Sequence, residues 1–417
     1  MIRSKSTAHT TLYWGMITYV MWRVVYRAQL FISSAPLLWR KDDFNHYYTS
    51  AWLLLHGAVP YGLSFKDSAL ASHFIWDPLI PQATNPPFLL LLTMPLALFH
   101  AHAAWVIWLL INLTCVLVAF ILTLSLIGQA WSWREKLLIL LLFVSSDAFC
   151  ANFMHAQVQP LILLFIVLGW WWARRERYDL CALLWGISVA VKFYTWPLLV
   201  LLLAWRRYRA FFAGASCTLL FLLLPAALFG VEILSGFVHD AMPIVERSAK
   251  AFPHNFSLSK LFCDILHIQL GHTSTLMRLL CLYAAPMGAT LILCEVLGRG
   301  SSTNGLRETA RLDFSVAIIA ALSFFVAPVT WEHYLIVLLI PMLVGWHYSK
   351  KSLSLLIGLL VIWQLVLQMP THASLSFLSS AVYFRAWRII TVAGCLALFG
   401  LVATLRQRFL QHEISDR

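Results

Sequence analysis

The sequence predicts an all-α fold, a polytopic integral membrane protein with about 12 transmembrane helices and a long first extracytoplasmic loop. Three observations predict it. Of the 417 residues, 61% are apolar and only 12% charged, against about 45–50% and about 25% in a soluble chain. Mean hydropathy is +0.78, more apolar character than a water-soluble core of this size hides. The apolar residues also gather into runs of bilayer-spanning length, about 20 residues each. At roughly 35 residues per crossing, connection included, the chain holds on the order of a dozen spans. An ordinary cytosolic enzyme, a disordered chain and a small disulfide scaffold are excluded.

The elements follow in order. The start is basic and polar through Thr10, and the run 12–38 after it is too long for a cleaved signal peptide, so an uncleaved first span is expected. A polar stretch, 39–85, comes next. The run 86–99 reaches only about 21 Å as a helix against a core of about 30 Å, so a re-entrant or broken segment is expected. Runs at 103–127, 137–153 and 158–173 precede one at 180–205 with basic clusters at both ends. A straight span would put one cluster on the wrong face. A hairpin of two half-helices, bent near Val191–Pro197, keeps both inside, with Lys192 and Pro197 lining a polar cavity. The run 210–230, a second polar stretch 231–272, and runs at 276–297, 313–327, 334–346, 353–369 and 383–405 complete the chain as one membrane domain, 1–417.

The net charge of +12 belongs to cytoplasmic loops, where membrane proteins collect Lys and Arg. That rule places both termini, Arg174–Arg177 and Arg206–Arg209 on the cytoplasmic face of the cell membrane. The stretches 39–85 and 231–272 then lie outside. No basic stripe with interleaved aromatics stands outside the apolar runs, so no nucleic-acid partner is expected. The eight Cys form no Cys-x-x-Cys pair, which indicates neither a zinc site nor a disulfide framework. His-Glu-x-x-His, clustered carboxylates and Gly-rich phosphate loops are lacking in the sequence, so no metal, cofactor, ATP or nucleotide-sugar chemistry is expected.

Six places hold residues fit for chemistry. Asp42 and Asp43 follow the first span; an acid there can act as a general base at the mouth of a membrane cavity, or both can simply solvate the interface beside Arg40 and Lys41. Lys192 is an ammonium in an apolar run, suited to the phosphate of a lipid carrier, to snorkelling or to an ion pair. Arg23 and Arg27, one helical turn apart, read equally as a second phosphate contact or an interhelical pair. His155-Ala156-Gln157-Val158-Gln159 and the pair of clusters His254-Asn255-Phe256-Ser257 and Trp331-Glu332-His333-Tyr334 sit near helix ends on the outer side, as ligand contacts or as inert loop residues.

At these residues the sequence resembles glycosyltransferase family 87, polyprenol-phosphate-mannose-dependent mannosyltransferases of the GT-C superfamily. The resemblance runs from about Asp43 to Pro341. It rests on Asp43-Phe44-x-x-Tyr47, Gly57-x-x-Pro60-Tyr61, Asn85-Pro86-Pro87, and Ala190-Val191-Lys192 with Pro197. Trp205-Arg206-Arg207-Tyr208-Arg209, Asn255-Phe256-Ser257-Leu258 and Ala327-Pro328-x-x-Trp331-Glu332-His333-Tyr334 continue it. The chain has Ala156 where the family usually has Gly, Glu332 where it often has Asp, and Phe193 between Lys192 and the following segment. The resemblance implies a GT-C fold and an inverting transfer of mannose from a polyprenyl-phosphate donor to a membrane glycolipid or glycan on the extracytoplasmic face. It implies Asp43 as base, in preference to Asp42, because Asp43 has the spacing to Tyr47. Lys192, with Arg23 or Arg27, would hold the carrier phosphate. Tyr47, Gln157, Asn255, Glu332 and His333 would contact substrate. A flippase for a lipid-linked sugar, or a GT-C transferase of another sugar, remains the alternative reading.

Overall fold

The computed structural model describes residues 2–41, 43–76, 82–245, 255, 257, 305–327, 330–349, 353–367 and 380–415. Asp42, Cys263, the run 276–297 and most of 231–272 lie outside the described residues. Among the described residues every regular element is helical.

Helix α1 (Ile2–Lys41) leads to α2 (Phe44–Leu55), whose N-cap is Asp43. Gly57, at φ +75°, ends α2 in the left-handed conformation that glycine adopts without strain. The loop that follows is folded rather than loose. Phe65, Phe74 and Tyr61 are buried, and the guanidinium of Arg40 donates to the carbonyls of His73 at 3.1 Å and Ser72 at 3.2 Å, pinning the loop to the end of α1. The Tyr61 hydroxyl donates to the Asn85 carbonyl at 2.6 Å, and burial pushes that phenol well above its ordinary range.

Helix α3 (Pro87–Thr93) passes into a 3-10 turn, Met94–Leu98, so the run 86–99 is a short broken segment, as its length requires. Helix α4 (Ala101–Ile127) is a full-length apolar helix. The run 137–153 is corrected to two helices, α5 (Trp133–Val144) and α6 (Asp147–Met154), bent by 52°. The reason is local: Ser146 Oγ accepts the Phe149 amide at 3.2 Å, a serine N-cap that starts a new helix inside the apolar run.

Helices α7 (Gln159–Ala173) and α8 (Tyr178–Val191) are short. Beyond α8 the chain is extended at Lys192, makes a 3-10 turn at Phe193–Thr195, and enters α9 (Pro197–Ala204) with Pro in its first turn. This is the expected hairpin. Its ends meet: the Arg207 guanidinium lies 4.2 Å from the centre of the Tyr178 ring, and Arg209 pairs with Asp179 at 3.4 Å.

Helix α10 (Tyr208–Phe229) crosses α8 at small residues. A Cβ on Gly186 would overlap the Gly214 carbonyl oxygen, one on Gly214 would stand 2.7 Å from the Ala182 carbonyl oxygen, and Thr218 Oγ1 donates to the Gly186 carbonyl at 3.0 Å. Such small-residue seams let helix backbones approach closely where lipid offers no hydrophobic drive. After α11 (Glu232–Gly236) come α12 (Gly305–Val326), a 3-10 turn Glu332–Leu338, α13 (Leu339–Ser349), α14 (Leu353–Leu367) and α15 (Ser380–Ser415).

A buried polar knot ties four of these helices. Asp313, fully buried on α12, accepts from Arg174 Nε at 2.8 Å, from the indole of Trp170 at 2.9 Å and from the hydroxyl of Tyr348 at 3.0 Å. Arg174 also donates to the Leu126 carbonyl at 2.6 Å.

Three described helices are long and apolar enough to cross a membrane: α4, α10 and the Ala386–Arg406 portion of α15; the bent α5–α6 pair makes a fourth. Among the described residues the full-length spans are fewer than the dozen crossings expected from length, and the runs 86–99, 137–153 and 180–205 are divided by 3-10 turns, prolines and the serine cap at Ser146.

Candidate active site

The ends of α2 and α6, the α8–α9 break and the 3-10 turn Glu332–Leu338 converge on one region. Asp43 sits half-buried at the start of α2, its carbonyl closing the first helical turn to the His46 amide at 3.1 Å. Its carboxylate accepts a hydrogen bond from the side-chain amide of Gln157. The amide oxygen of Gln157 in turn accepts from the Tyr47 hydroxyl at 3.0 Å. Tyr47, one helical turn from Asp43, and Gln157 are both buried. The tyrosine thus fixes which way the amide faces, and the amide fixes the carboxylate. Carboxylate Oδ1 has no hydrogen bond among the described residues and can accept a proton.

Gln157 is held by its backbone as firmly as by its side chain. Its amide donates to the Asn152 carbonyl at 2.9 Å, and its carbonyl accepts from Asn112 at 2.8 Å. Ala156 before it has φ +44°, and the Ala156 carbonyl accepts the Trp108 indole N–H at 2.7 Å. This is the left-handed C-terminal closure in which a helix satisfies its last carbonyls.

Lys192 enters from the α8–α9 break. Its ammonium lies 4.4 Å from the centre of the Tyr334 ring, a cation–π contact, and stands within electrostatic reach of Asp43 and His333. Tyr334 packs edge-on against Tyr194 with centroids 5.0 Å apart, and the Tyr194 hydroxyl donates to Gln159 at 2.7 Å. His333 is buried, its carbonyl held by Asn152 at 2.8 Å, and its Nε2 has no hydrogen-bond partner among the described residues. Glu332 lies 3.9 Å from His155 at the rim. Asn255 is buried, and its side-chain oxygen accepts the amides of Ser257 at 3.0 Å and Thr330 at 2.9 Å. It therefore ties two loops together.

The structure does not bring Arg23 and Arg27 to this region. Both pair with Asp147, Arg23 at 3.5 Å. Asp147 opens α6, while Gln157 follows its far end, and the eight-residue helix between them is about 12 Å long at the helical rise. Of the two readings of the arginines, the interhelical pair is the arrangement present. Sequence reasoning missed Asp147 itself, and also Asn112, Asn152 and Trp108. Asp147 had a usable signal: it is a carboxylate inside an apolar run, and two cations in another run require an anion. The asparagines and the tryptophan had none, since their partners are backbone carbonyls.

Among the described residues no group of three or more His, Cys, Asp or Glu gathers as a metal site. The arrangement instead offers a carboxylate with an oriented lone pair, an ammonium beside it and aromatic walls. The family model for glycosyltransferase family 87 matches residues 83–328. That stretch holds Gln157, Lys192 and Asn255; Asp43 and Tyr47 precede it, and Glu332 and His333 follow it. Among curated proteins and among solved structures nothing matches the chain.

Proposed function

The chain belongs to glycosyltransferase family 87, whose model covers more than half of it, and from that premise we propose an inverting transfer of mannose from a polyprenyl-phosphate donor to a membrane glycolipid or glycan. On this reading the chain is a GT-C-type protein of the cell membrane, with both termini cytoplasmic and the site on the extracytoplasmic face. The observation that carries it is the Tyr47–Gln157–Asp43 relay beside Lys192.

A sugar hydroxyl is a weak nucleophile. Asp43 takes its proton as the oxygen attacks the anomeric carbon. The anomeric C–O bond to phosphate breaks on the opposite side, and the bonding pair leaves with the polyprenyl phosphate. Lys192 stabilises that anion in a water-poor cavity. Gln157 and Tyr47 position the base, and His333 and Glu332 border the sugar. Asn255 supports the substrate contacts by holding the loop at Thr330 in place. The arginines paired with Asp147 support α6 from below.

The test is incubation of purified protein with radiolabelled polyprenyl-phosphate sugars and a panel of membrane glycolipids. Label from the mannosyl donor is expected in an acceptor. Asp43→Asn should lower turnover by about 10²-fold or more while the protein stays folded, and Lys192→Met should weaken binding of free polyprenyl phosphate. Undiminished transfer by Asp43→Asn overturns the assignment of the base. Transfer of a different sugar overturns mannose.

A further inference from the structure

We propose that Gln159 is a positioning residue: through Tyr194 and Tyr334 it fixes where the Lys192 ammonium stands, and so sets the spacing between that cation and Asp43; this rests on the reading of Lys192 as the holder of the donor phosphate. A lysine ammonium is a point charge on a flexible stem, and something must hold it still. Among the described residues the Lys192 ammonium has no hydrogen bond; it rests on the Tyr334 ring, 4.4 Å from its centre. The position of that ring therefore decides the position of the charge.

The ring is held in turn. Tyr194 meets it edge-on, with centroids 5.0 Å apart and planes at 75°, one of the preferred arrangements of an aromatic pair. The Tyr194 hydroxyl donates to Gln159 Oε1 at 2.7 Å. Gln159 is the first residue of α7 and is fully buried. Two positions before it, Gln157 holds the Asp43 carboxylate. Val158 between them is also fully buried, and its carbonyl accepts the amides of Leu161 at 3.1 Å and Ile162 at 3.3 Å. One short, well-bonded stretch thus carries both arms, the amide of Gln157 toward the base and the amide of Gln159 toward the cation.

Stability does not account for this glutamine. Its Nε2 is buried without a hydrogen-bond partner among the described residues, an unmet group that an apolar side chain of the same shape would not carry. Nor does the turn at Lys192 depend on it. The hydroxyls of Ser188 and Thr195 share a hydrogen bond at 3.0 Å, and Thr195 Oγ1 donates to the Lys192 carbonyl at 3.4 Å, which ties the turn to the end of α8. What the Tyr194–Gln159 bond adds is the orientation of one ring, and that ring bears on Tyr334. A charge aimed in this way meets a departing phosphate without first reorganising.

The experiment uses the full chain in lipid nanodiscs, isotopically labelled at lysine Cε. A lysine whose ammonium rests on an aromatic face gives an NMR signal displaced from those of the other lysines, and Lys192→Met identifies it by its loss. Tyr194→Phe keeps the ring and removes the donor; Tyr194→Phe with Gln159→Leu removes both partners. Calorimetry with farnesyl phosphate, a short polyprenyl phosphate, and the melting temperature are read on the same samples. Both variants are expected to return the displaced signal toward the other lysines and to weaken farnesyl phosphate binding about tenfold. The melting temperature should fall in the single variant, which strands the Gln159 oxygen, and recover in the double, where nothing is stranded. A displaced signal retained in the double variant overturns the proposal and leaves the Tyr194–Gln159 bond a packing contact. Absence of a displaced signal in wild type overturns it outright. Farnesyl phosphate binding that Lys192→Met leaves unchanged, with the signal moved in both variants, leaves the positioning standing and counts against the donor-phosphate reading alone.

Discussion

Ala156 stands in a conformation that costs an L-residue about 1–2 kcal/mol, at φ +44° and fully buried. The indole of Trp108 on one side and the amide of Asn112 on the next carbonyl hold it there. Ala156→Gly is therefore expected to raise stability by up to about 1 kcal/mol, read as a higher melting temperature at unchanged turnover. Ala156→Val should lower both melting temperature and turnover, because a β-branched residue at positive φ displaces Gln157. A lower melting temperature for the glycine variant would show that the lost methyl packing outweighs the relieved strain. At this scale much of the site was legible. Asp43, Tyr47, Gln157, Lys192 and His333 were singled out by residue type, position at run ends, and motif. What joins them was not legible. One amide bridges Tyr47 and Asp43 from a distance of 110 residues in sequence, and nothing in a local pattern encodes such a contact.

Helices α8 and α10 approach so closely that side-chain size at two positions decides their packing. Gly186→Leu forces the new side chain into the Gly214 carbonyl and disturbs the Thr218 bond to Gly186. A loss of at least about 1–3 kcal/mol is expected from overpacking. Gly358→Ala, with open space at its Cβ, is the matched control and should be neutral or slightly stabilising. Equal melting temperatures for the two would mean the α8–α10 seam yields freely. The hairpin around Lys192 was legible because charge pattern alone forbids a straight span there. The division of 137–153 was not: Ser145 and Ser146 read as two tolerable polar residues in an apolar run, and only the side-chain cap at Ser146 makes them a boundary.

Across the whole molecule, the Arg174–Asp313 knot joins the ends of α4, α7 and α13 to α12. Asp313→Asn leaves a mostly buried guanidinium unpaired, which costs about 3–5 kcal/mol. The double replacement Arg174→Met with Asp313→Leu should recover most of that, since it removes both charges together; thermal unfolding distinguishes the two. Full stability in the single variant would mean water reaches Arg174. The proposed sidedness has its own check. Ser64→Cys, with Cys263→Ser, is expected to react with an impermeant thiol reagent in intact cells. Tyr178→Cys and Tyr208→Cys should both stay protected until the membrane is opened. Opposite behaviour of the last two would reject a common face for the hairpin ends.

The bond between α1 and Asp147 also sets a timetable for synthesis. Arg27 and its partner are 120 residues apart, so α1 leaves the ribosome long before its counter-ion exists. At about 5–20 residues per second the interval is about 6–24 s. Under the proposed topology, in which α1 enters the membrane, each arginine near its middle opposes lipid entry by about 2.5–3.5 kcal/mol until then. On the proposed reading of α1 as a span, it is expected to commit to the bilayer only when α6 arrives, after the helices made between them. A nascent chain stopped short of Asp147 would let α1 slip back out.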